Sequence, residues 1–214
     1  MLKPEVRRLV LGPLFTNTYI LRLRNTTLVI DAAPGSRAIL RELKFLGDDV
    51  KAILITHAHF DHIASAQTLK RVLKAKIYLH KADLKLLPLS RIVAATYGIE
   101  WTDPEIDISL SNDEVLELDD LIIKVLHTPG HTPGSVCFLV NDSILFTGDT
   151  LFKGGIGRTD FPGGDWNSMI SSLRRLSKLP DNIIVYPGHG ESTTLGAEKK
   201  CNELLRKILE HGNP

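Results

Sequence analysis

Short runs of aliphatic and β-branched residues recur along the chain, with the length and composition of β-strands. Between several of them, apolar residues repeat at the three- and four-residue spacing of amphipathic helices. The predicted strands are residues 6–11, 18–23, 28–30, 52–55, 77–79, 121–126, 136–140, 144–146 and 183–186. The predicted helices are residues 37–46, 63–73, 166–179 and 198–209.

The order of these elements indicates the fold class. The early strands follow one another as a meander, and the later strands alternate with helices. We therefore predict an α/β (α+β) chain whose sheets are covered by helices, rather than a purely parallel sheet. Residues 84–107 are the least regular stretch, and we expect a surface helix plus a loop there, near the functional site. The 214 residues are expected to form a single domain, 1–214.

Composition and charge exclude several classes of function. Hydrophobic residues make up 43% of the chain and charged residues 24%, and no apolar run is long enough to span a bilayer. Charge and proline interrupt the first eight residues, which therefore do not resemble a signal peptide. We expect a cytoplasmic protein with no membrane partner. The net charge of +1 and the scattered Lys and Arg residues argue against a nucleic-acid partner. The oligomeric state is left open.

Four potential metal ligands lie in one turn between a predicted strand and a predicted helix. The strand at residues 52–55 continues into Thr-His-Ala-His-Phe-Asp-His, which contains His57, His59, Asp61 and His62. If extended geometry continues past the strand, His57 and His59 point the same way, because side chains alternate along a strand. Asp61 can lie at the helix start, where its charge suits the helix dipole. Such a cluster can serve two metal ions, and a satisfied polar loop is the weaker interpretation.

Further candidate ligands lie at the ends of predicted strands, in turns that contain glycine or proline. They are His131, Asp149 and His189. Each signal is weak alone, since glycine beside a polar residue is an ordinary turn. Together with the first cluster they are strong, because binding residues concentrate on loops held by a rigid sheet. His80 and His127 also end predicted strands; we interpret His80 as structural and His127 as a candidate hydrogen-bond partner of a ligating imidazole.

Counting these ligands favours two metal ions over one. His57, His59 and His131 would suffice for a tetrahedral zinc with one open position. The predicted set for the second ion is Asp61, His62 and His189, and the Asp149 carboxylate would bridge the two ions. Asp61 and Asp149 are also the candidate catalytic residues. All ligands are imidazole or carboxylate, so we predict two divalent ions, zinc in preference to iron or manganese.

The motif at residues 56–62, the Pro-Gly-His131 turn, the Gly-Asp149 pair and the Pro-Gly-His189 turn together resemble the metallo-β-lactamase superfamily. They resemble most its glyoxalase II-like (hydroxyacylglutathione hydrolase-like) members. The resemblance covers nearly the whole chain and implies a four-layer αββα sandwich with a dinuclear site at one edge, between two sheets. True metallo-β-lactamases tend to have a cysteine in place of Asp149, which argues against lactam hydrolysis. An aspartate there resembles the thioesterase and lactonase branches.

Residues 151–164 indicate which branches of the superfamily the chain resembles. They resemble the segment that follows the bridging aspartate in short, bacterial-type glyoxalase II-like proteins. Their Gly-Arg-Thr-Asp-Phe portion, residues 157–161, also resembles the persulfide dioxygenases of the superfamily, which use one iron. The larger glyoxalase II enzymes carry a C-terminal helical domain that supplies basic residues to glutathione, and this chain is expected to be a short form without it.

The leading prediction is a thioesterase that hydrolyses S-acylglutathione-type thioesters, with S-lactoylglutathione as the first substrate. A hydroxide shared by two ions would attack the acyl carbonyl, and the thiol would leave as a thiolate. Arg158 is predicted to bind a substrate carboxylate by a bidentate pair, and Lys153 to do so more weakly. The alternative for Arg158 is a structural pair with Asp160.

Other functions stay open at this point. A persulfide dioxygenase would hold a single iron on His131 with His57, His59 or Asp149. A lactonase or a phosphodiesterase acting on RNA would belong to the same superfamily, and the absence of a basic patch argues against the latter. A non-catalytic metal-binding or partner-binding domain is the least economical interpretation of a complete ligand set.

Overall fold

Two mixed six-stranded β-sheets form the framework of the protein, in a computed structural model that describes residues 3–47 and 49–210. The first sheet contains, in spatial order, β1 (Glu5–Leu11), β2 (Thr16–Leu23), β3 (Thr26–Ile30), β4 (Val50–Leu54), β5 (Lys76–His80) and β6 (Ile108–Leu110). Its first three strands form an antiparallel meander, and β3 to β6 run parallel. This half of the chain therefore has the mixed order that the sequence predicts.

The second sheet is built from the later strands. They are β7 (Val115–Leu118), β8 (Leu121–His127), β9 (Val136–Val140), β10 (Ile144–Gly148), the separate hairpin of β11 (Leu151–Phe152) and β12 (Gly155–Ile156), β13 (Ile184–Pro187) and β14 (Thr193–Thr194). The spatial order of the six-stranded sheet is β14-β13-β10-β9-β8-β7. The pair of β10 and β13 is parallel, and the other neighbours are antiparallel.

Helices cover the outer face of each sheet. They are α1 (Ser36–Leu46), α2 (Phe60–Ile63), α3 (Ala66–Leu73), a 3-10 helix (Lys81–Leu86), α4 (Leu87–Thr96), α5 (Trp166–Ser177), α6 (Leu195–Cys201) and α7 (Glu203–Glu210). Among residues 3–47 and 49–210, no helix is long and apolar enough to cross a bilayer. The irregular stretch 84–107 contains the predicted surface helix, which is α4.

Three apolar clusters define the layers. The central cluster lies between the two sheets and includes Tyr19, Phe138 and Phe146, with the Tyr19 and Phe146 rings 5.2 Å apart. A second cluster packs α1 and α3 against the first sheet. A third packs α5, α6 and α7 against the second sheet. Strands such as β9 are buried on both faces and therefore appear in the sequence as continuous apolar runs. The result is a four-layer αββα sandwich.

Two predicted helices are each divided in two, and short strands were missed. The stretch 63–73 is interrupted at Ser65, whose hydroxyl donates to the Ala33 carbonyl and whose N–H donates to the Ala32 carbonyl. The loop after β3 thus accepts the Ser65 N–H, which a continuous helix would use in its own hydrogen bonds. The stretch 198–209 is interrupted at Asn202, whose side chain accepts from the Leu205 N–H. The missed strands β6, β7 and β14 are short and lie at sheet edges, and β11 and β12 have two residues each, so that periodicity is weak in all of them.

One buried carboxylate joins the segments that will carry the functional site. Asp83, on the 3-10 helix, accepts from the Ala58 N–H at 2.9 Å, the Gly134 N–H at 2.6 Å and the Thr132 hydroxyl at 2.8 Å. Burial raises the pKa of Asp83, and these donors oppose that effect. The turn after β4 and the turn after β8 are therefore fixed to the same side chain.

Replacing Asp83 should destabilise the fold. In Asp83→Ala two buried N–H groups lose their acceptor, so we expect the free energy of unfolding to fall by about 2–4 kcal/mol. Denaturant unfolding measures this change. The control is Glu210→Ala, which removes an exposed ion pair with Arg206 and should cost less than about 0.5 kcal/mol. Equal stabilities for the two variants would contradict the role given to Asp83.

Candidate metal centre

The predicted ligands meet at one edge of the sandwich, because all of them follow the carboxyl ends of strands. His57 and His59 come after β4, His131 after β8, Asp149 after β10 and His189 after β13. The two sheets are joined at this edge by backbone contacts: the Asn17 N–H donates to the Gly188 carbonyl at 2.7 Å, and Thr16 pairs with His189. Each sheet therefore contributes ligands to a shared cluster.

The first triad consists of His57, His59 and His131. Their ligand atoms lie within 4.8 Å of one another, and His59 Nδ1 is 2.9 Å from His131 Nε2. His57 Nε2 is buried and has no hydrogen-bond partner. A buried polar atom without a partner is rare in folded proteins and indicates that a ligand belongs there. Imidazole nitrogens facing one another fit a divalent cation.

The second triad consists of Asp61, His62 and His189. Asp61 Oδ2 lies 3.3 Å from His62 Nε2 and 3.3 Å from His189 Nε2, and these two nitrogens are 3.4 Å apart. Asp61 and His62 are on the short helix α2. This helix begins inside the histidine motif, whereas the sequence had predicted a helix that begins after it. The fold thus brings two neighbouring residues of α2 to His189 of the other sheet.

Asp149 lies between the two triads. Its Oδ2 is 3.4 Å from His131 Nε2 and 3.6 Å from His189 Nε2, and its Oδ1 is buried without a hydrogen-bond partner. A carboxylate in this position can reach an ion on either triad. The donor set as a whole, imidazoles and carboxylates without thiolate, fits two divalent cations, and all seven predicted ligands are present in it.

The outer nitrogens of three imidazoles predicted to bind metal have acceptors that fix the rings. His62 Nδ1 lies 2.8 Å from Asp31 Oδ2, His131 Nδ1 lies 2.7 Å from the Arg158 carbonyl, and His189 Nδ1 lies 3.1 Å from the Leu14 carbonyl. Such partners select the tautomer that leaves the inner nitrogen free to bind a metal. The triads are therefore pre-oriented by their surroundings.

Asp31 is the functional residue that the sequence analysis missed. It follows β3 with a φ of 56°, and its carboxylate also accepts from the Thr56 N–H at 2.7 Å and from the Thr56 hydroxyl at 2.8 Å. It thereby fixes both the end of β4 and the His62 ring. The sequence did contain a signal for Asp31, because this residue directly follows a buried strand, as several of the predicted ligands do.

The remaining predicted residues lie outside the triads. Arg158 Nη2 and Nε pair with the Asp160 carboxylate at 2.7 and 2.9 Å, and Lys153 Nζ pairs with Glu191 at 2.6 Å. The alternative interpretation of Arg158 is thus the contact that the structure contains, while substrate binding by either cation stays a prediction. His127 does not form the predicted hydrogen bond to an imidazole of the metal centre. Its ring stacks on His80 at 4.3 Å, and its Nε2 lies 2.9 Å from the Pro133 carbonyl.

Burial and mutual charge give the two triads different proton affinities. Burial lowers the pKa of His59 to about 4 and holds the pKa of His57 well below its usual value. Burial also acts against the charged form of His62, but Asp61 and Asp149 outweigh it and hold its pKa well above the usual value. The hydrogen bond to Asp61 likewise overcomes burial and raises the pKa of His189. Without a cation, the second triad therefore retains protons more strongly than His57 and His59.

A cavity of about 280 Å³ opens onto the centre. Ligand residues form its floor, and apolar side chains form most of its wall. The lining residues are Leu14, His59, Phe60, Asp61, Leu89, Ser90, Val93, Tyr97, His131, Asp149, Phe161, Pro162 and His189. A small molecule in this cavity would contact both triads.

Comparison with known proteins agrees with this geometry. A family model described as the metallo-beta-lactamase superfamily matches residues 11–189, which include every ligand of both triads. The chain belongs to the metallo-β-lactamase superfamily. The predicted superfamily and its α+β sandwich of helices and mixed sheets are therefore confirmed, and the chain is a metal-dependent hydrolase of a superfamily that binds divalent metals.

Individual members of the superfamily are similar over most of the chain. A hydroxyacylglutathione hydrolase GloC of Haemophilus influenzae is 38% identical over 83% of this chain and 86% of its own length. The solved structure of the BLEG-1 B3 metallo-beta-lactamase is 34% identical, with a TM-score of 0.88 over 94% of this chain and 99% of that one. TTHA1623 in a di-iron-bound form is 36% identical, with a TM-score of 0.84 over 92% and 99% of the two chains.

The similar structures therefore include a B3 metallo-β-lactamase and a di-iron-bound protein. The di-iron protein shows that a similar chain holds two metal ions, and that iron is one metal to test beside zinc. Neither likeness selects the substrate of this chain.

Gly188 should be indispensable to metal binding. A Cβ at Gly188 would collide with Asp149 Oδ1 and would lie 2.6 Å from His62 Cε1. We expect Gly188→Ala to bind fewer than two ions per chain, as measured by mass spectrometry of metals after dialysis. Gly190→Ala is the control, since a Cβ there meets no atom within 4 Å and adds only backbone strain at a φ of 77°. Full metal content in Gly188→Ala would contradict the close packing described.

The two triads should lose their ions at different pH values. Metal binding must displace protons from His62 and His189, whose pKa values are raised, but not from His57 and His59, whose pKa values are lowered. On acidification from about pH 8 to about pH 5 we therefore expect two steps of metal release, the second triad releasing first. In His189→Gln only the step at lower pH should remain; survival of the step at higher pH would refute this order.

Proposed function

We propose that the chain is a thioesterase of the superfamily, with hydrolysis at the metal centre. The observation that carries this proposal is the cavity whose floor is formed by ligands of both triads. Water attack on the acyl carbon of a thioester breaks the carbon–sulfur bond and gives a carboxylic acid and a thiol. Two divalent ions held there would polarise the acyl carbonyl and lower the pKa of the attacking water.

Residues of the chain then account for the remaining requirements. Although burial alone would favour its protonated form, His62 and its neighbours lower the pKa of Asp149 to about 2, so this carboxylate is ionised at neutral pH. Asp149 lines the cavity and can accept a hydrogen bond from the attacking water. Asp61 is held by the Thr16 hydroxyl, which donates to its Oδ2 at 2.7 Å. These contacts give the reaction a preorganised floor.

The acidity of a thiol leaving group favours a thioester as substrate over an ester or an amide. A thiol with a pKa near about 8.5 leaves as a thiolate without strong acid catalysis. Among the described lining residues outside the ligand set, Ser90 donates its hydroxyl to the Ala58 carbonyl, and Tyr97 offers the other hydroxyl. The described lining residues outside the ligand set therefore offer no strong general acid to protonate a leaving group. The likeness to a hydroxyacylglutathione hydrolase supports the same class of substrate.

A second candidate is β-lactam hydrolysis, which the likeness to a B3 metallo-β-lactamase favours. It uses the same attack on a carbonyl carbon, but the nitrogen that leaves needs a proton. The expected alternative with one iron, a dioxygenase, has no use for the second triad as a metal site. Both alternatives can be separated from thioester hydrolysis by one set of assays.

The test combines metal analysis with a panel of substrates. We expect natively purified protein to hold two ions per chain and to hydrolyse thioesters, S-lactoylglutathione included in the panel, at equal rates with and without oxygen. A single iron with oxygen consumption would instead support the dioxygenase. A cephalosporin hydrolysed faster than every thioester would support the lactamase. Either result would overturn the proposal.

Asp149→Ala should lower turnover strongly. Removal of the carboxylate between the triads should lower metal content and reduce kcat/KM for a thioester by on the order of a hundredfold or more. Asp103→Ala, which removes an exposed carboxylate paired with Arg91, is the control and should keep both properties. An active Asp149→Ala protein with full metal content would disprove the role of Asp149.

A further inference from the structure

The wall of the cavity is formed by apolar side chains from separate parts of the chain. Phe60, in the histidine motif, stacks on Tyr97 at the end of α4, with ring centroids 5.0 Å apart. Phe161 approaches the His59 ring edge-on at 5.7 Å. Leu89 and Val93 lie one helical turn apart on α4 and face the same cavity. These contacts give an apolar lining that reaches down to a metal ligand.

Several of these side chains are open to solvent. Leu89 is 37% exposed, Phe161 40% and Tyr97 48%, and Leu14 is exposed at the same opening. Leaving large apolar side chains exposed around one opening is unfavourable in water, and such patches mark binding sites. The wall therefore suits an apolar group of a ligand.

We propose that this wall binds an apolar acyl group, and that the acyl chain rather than the thiol carrier selects the substrate. This inference rests on the proposed thioesterase function and names its substrate class: thioesters of unsubstituted aliphatic or aromatic acids. The acyl carbonyl would lie at the ligand floor, the hydrocarbon against α4 and Phe161, and the thiol carrier at the mouth.

The charge of the wall supports this assignment. Apart from the metal ligands, the described residues that line the cavity include no Lys, Arg, Asp or Glu. The two cations predicted to bind substrate are already paired: Arg158 with Asp160, while its guanidinium lies 4.3 Å from the Phe161 ring, and Lys153 with Glu191. A carboxylate of glutathione could pair with Arg158 or Lys153 only by displacing Asp160 or Glu191. A hydroxyacyl group would also bring a hydroxyl against apolar side chains, where it loses hydrogen bonds to water.

The size of the cavity agrees with the same division of the substrate. Pockets that enclose drug-sized ligands measure roughly 300–1000 Å³, and this cavity measures about 280 Å³. It can hold an acyl group but not an acyl group together with a tripeptide. The carrier then remains largely in solvent, where ion pairs contribute little to binding.

A series of thioesters of N-acetylcysteamine, from acetyl to hexanoyl, tests the acyl preference. Burial of each added methylene should raise kcat/KM by about fourfold until the cavity is filled. Moving the same acyl group from N-acetylcysteamine to glutathione should change kcat/KM by less than about fivefold. A flat dependence on chain length would overturn the inference, as would an advantage of more than about fivefold for glutathione, which would show that the thiol carrier selects the substrate.

A binding series distinguishes failure of this inference from failure of the proposed function. Ketone analogues, with a methylene in place of the thioester sulfur, cannot be hydrolysed, and their Kd should fall as the acyl chain lengthens. If this trend is present while every thioester resists hydrolysis, the thioesterase proposal fails and the apolar acyl site stands. If thioesters are hydrolysed and neither kcat/KM nor Kd follows chain length, only the acyl site fails.

Matched variants on α4 locate the effect. Leu89→Ser places a hydroxyl in the wall and should lower the ratio of hexanoyl to acetyl kcat/KM by about fourfold or more. Ile92→Ser changes a residue of the same helix that is 63% exposed and lies outside this cavity, and should leave the ratio unchanged. Thermal unfolding of both variants checks the fold. An unchanged ratio in folded Leu89→Ser would contradict the assignment.

Discussion

Seven predicted metal ligands are packed closely together and removed from water, at a cost in free energy. The rest of the site depends on how the fold meets this cost. Five imidazoles and two carboxylates are brought within a few ångströms of one another, and His57 Nε2 is left without a hydrogen-bond partner. Such an arrangement is unfavourable unless cations compensate it or the surrounding fold enforces it. Asp31, Asp83 and the close approach at Gly188 supply that enforcement, each by contacts that tolerate little displacement.

The two sheets share this task, and therefore the central core matters for chemistry as well as for stability. The first sheet brings His57, His59 and α2, and the second sheet brings the other ligand turns. Packing of Tyr19 against Phe146 and the backbone contact between Asn17 and Gly188 keep the sheet edges together. A shift of one sheet relative to the other would separate every pair of ligands that spans them.

Much of the fold and the seven residues that gather at the candidate metal centre could be predicted from the sequence, because both leave local signals. Doubly buried strands such as β9 appear as apolar runs, and the ligands stand at strand ends in glycine turns. What was missed depends on contacts between distant segments. One partner of the Asp83 carboxylate lies 51 residues away at Gly134. The strand β6 is recognised by its pairing with β5, and the helix break at Ser65 arises from the loop after β3. The apolar wall is likewise assembled only by folding.

Two hydrogen bonds tie that wall to the ligand turns. Ser90 of α4 donates to the carbonyl of Ala58, between two histidine ligands, and the carbonyl of Arg158, three residues before Phe161, accepts from His131. A substitution that moves either wall segment therefore also moves a ligand. The wall and the metal centre are therefore mechanically coupled, whereas the outward face of α4, where Ile92 lies, is not part of that coupling.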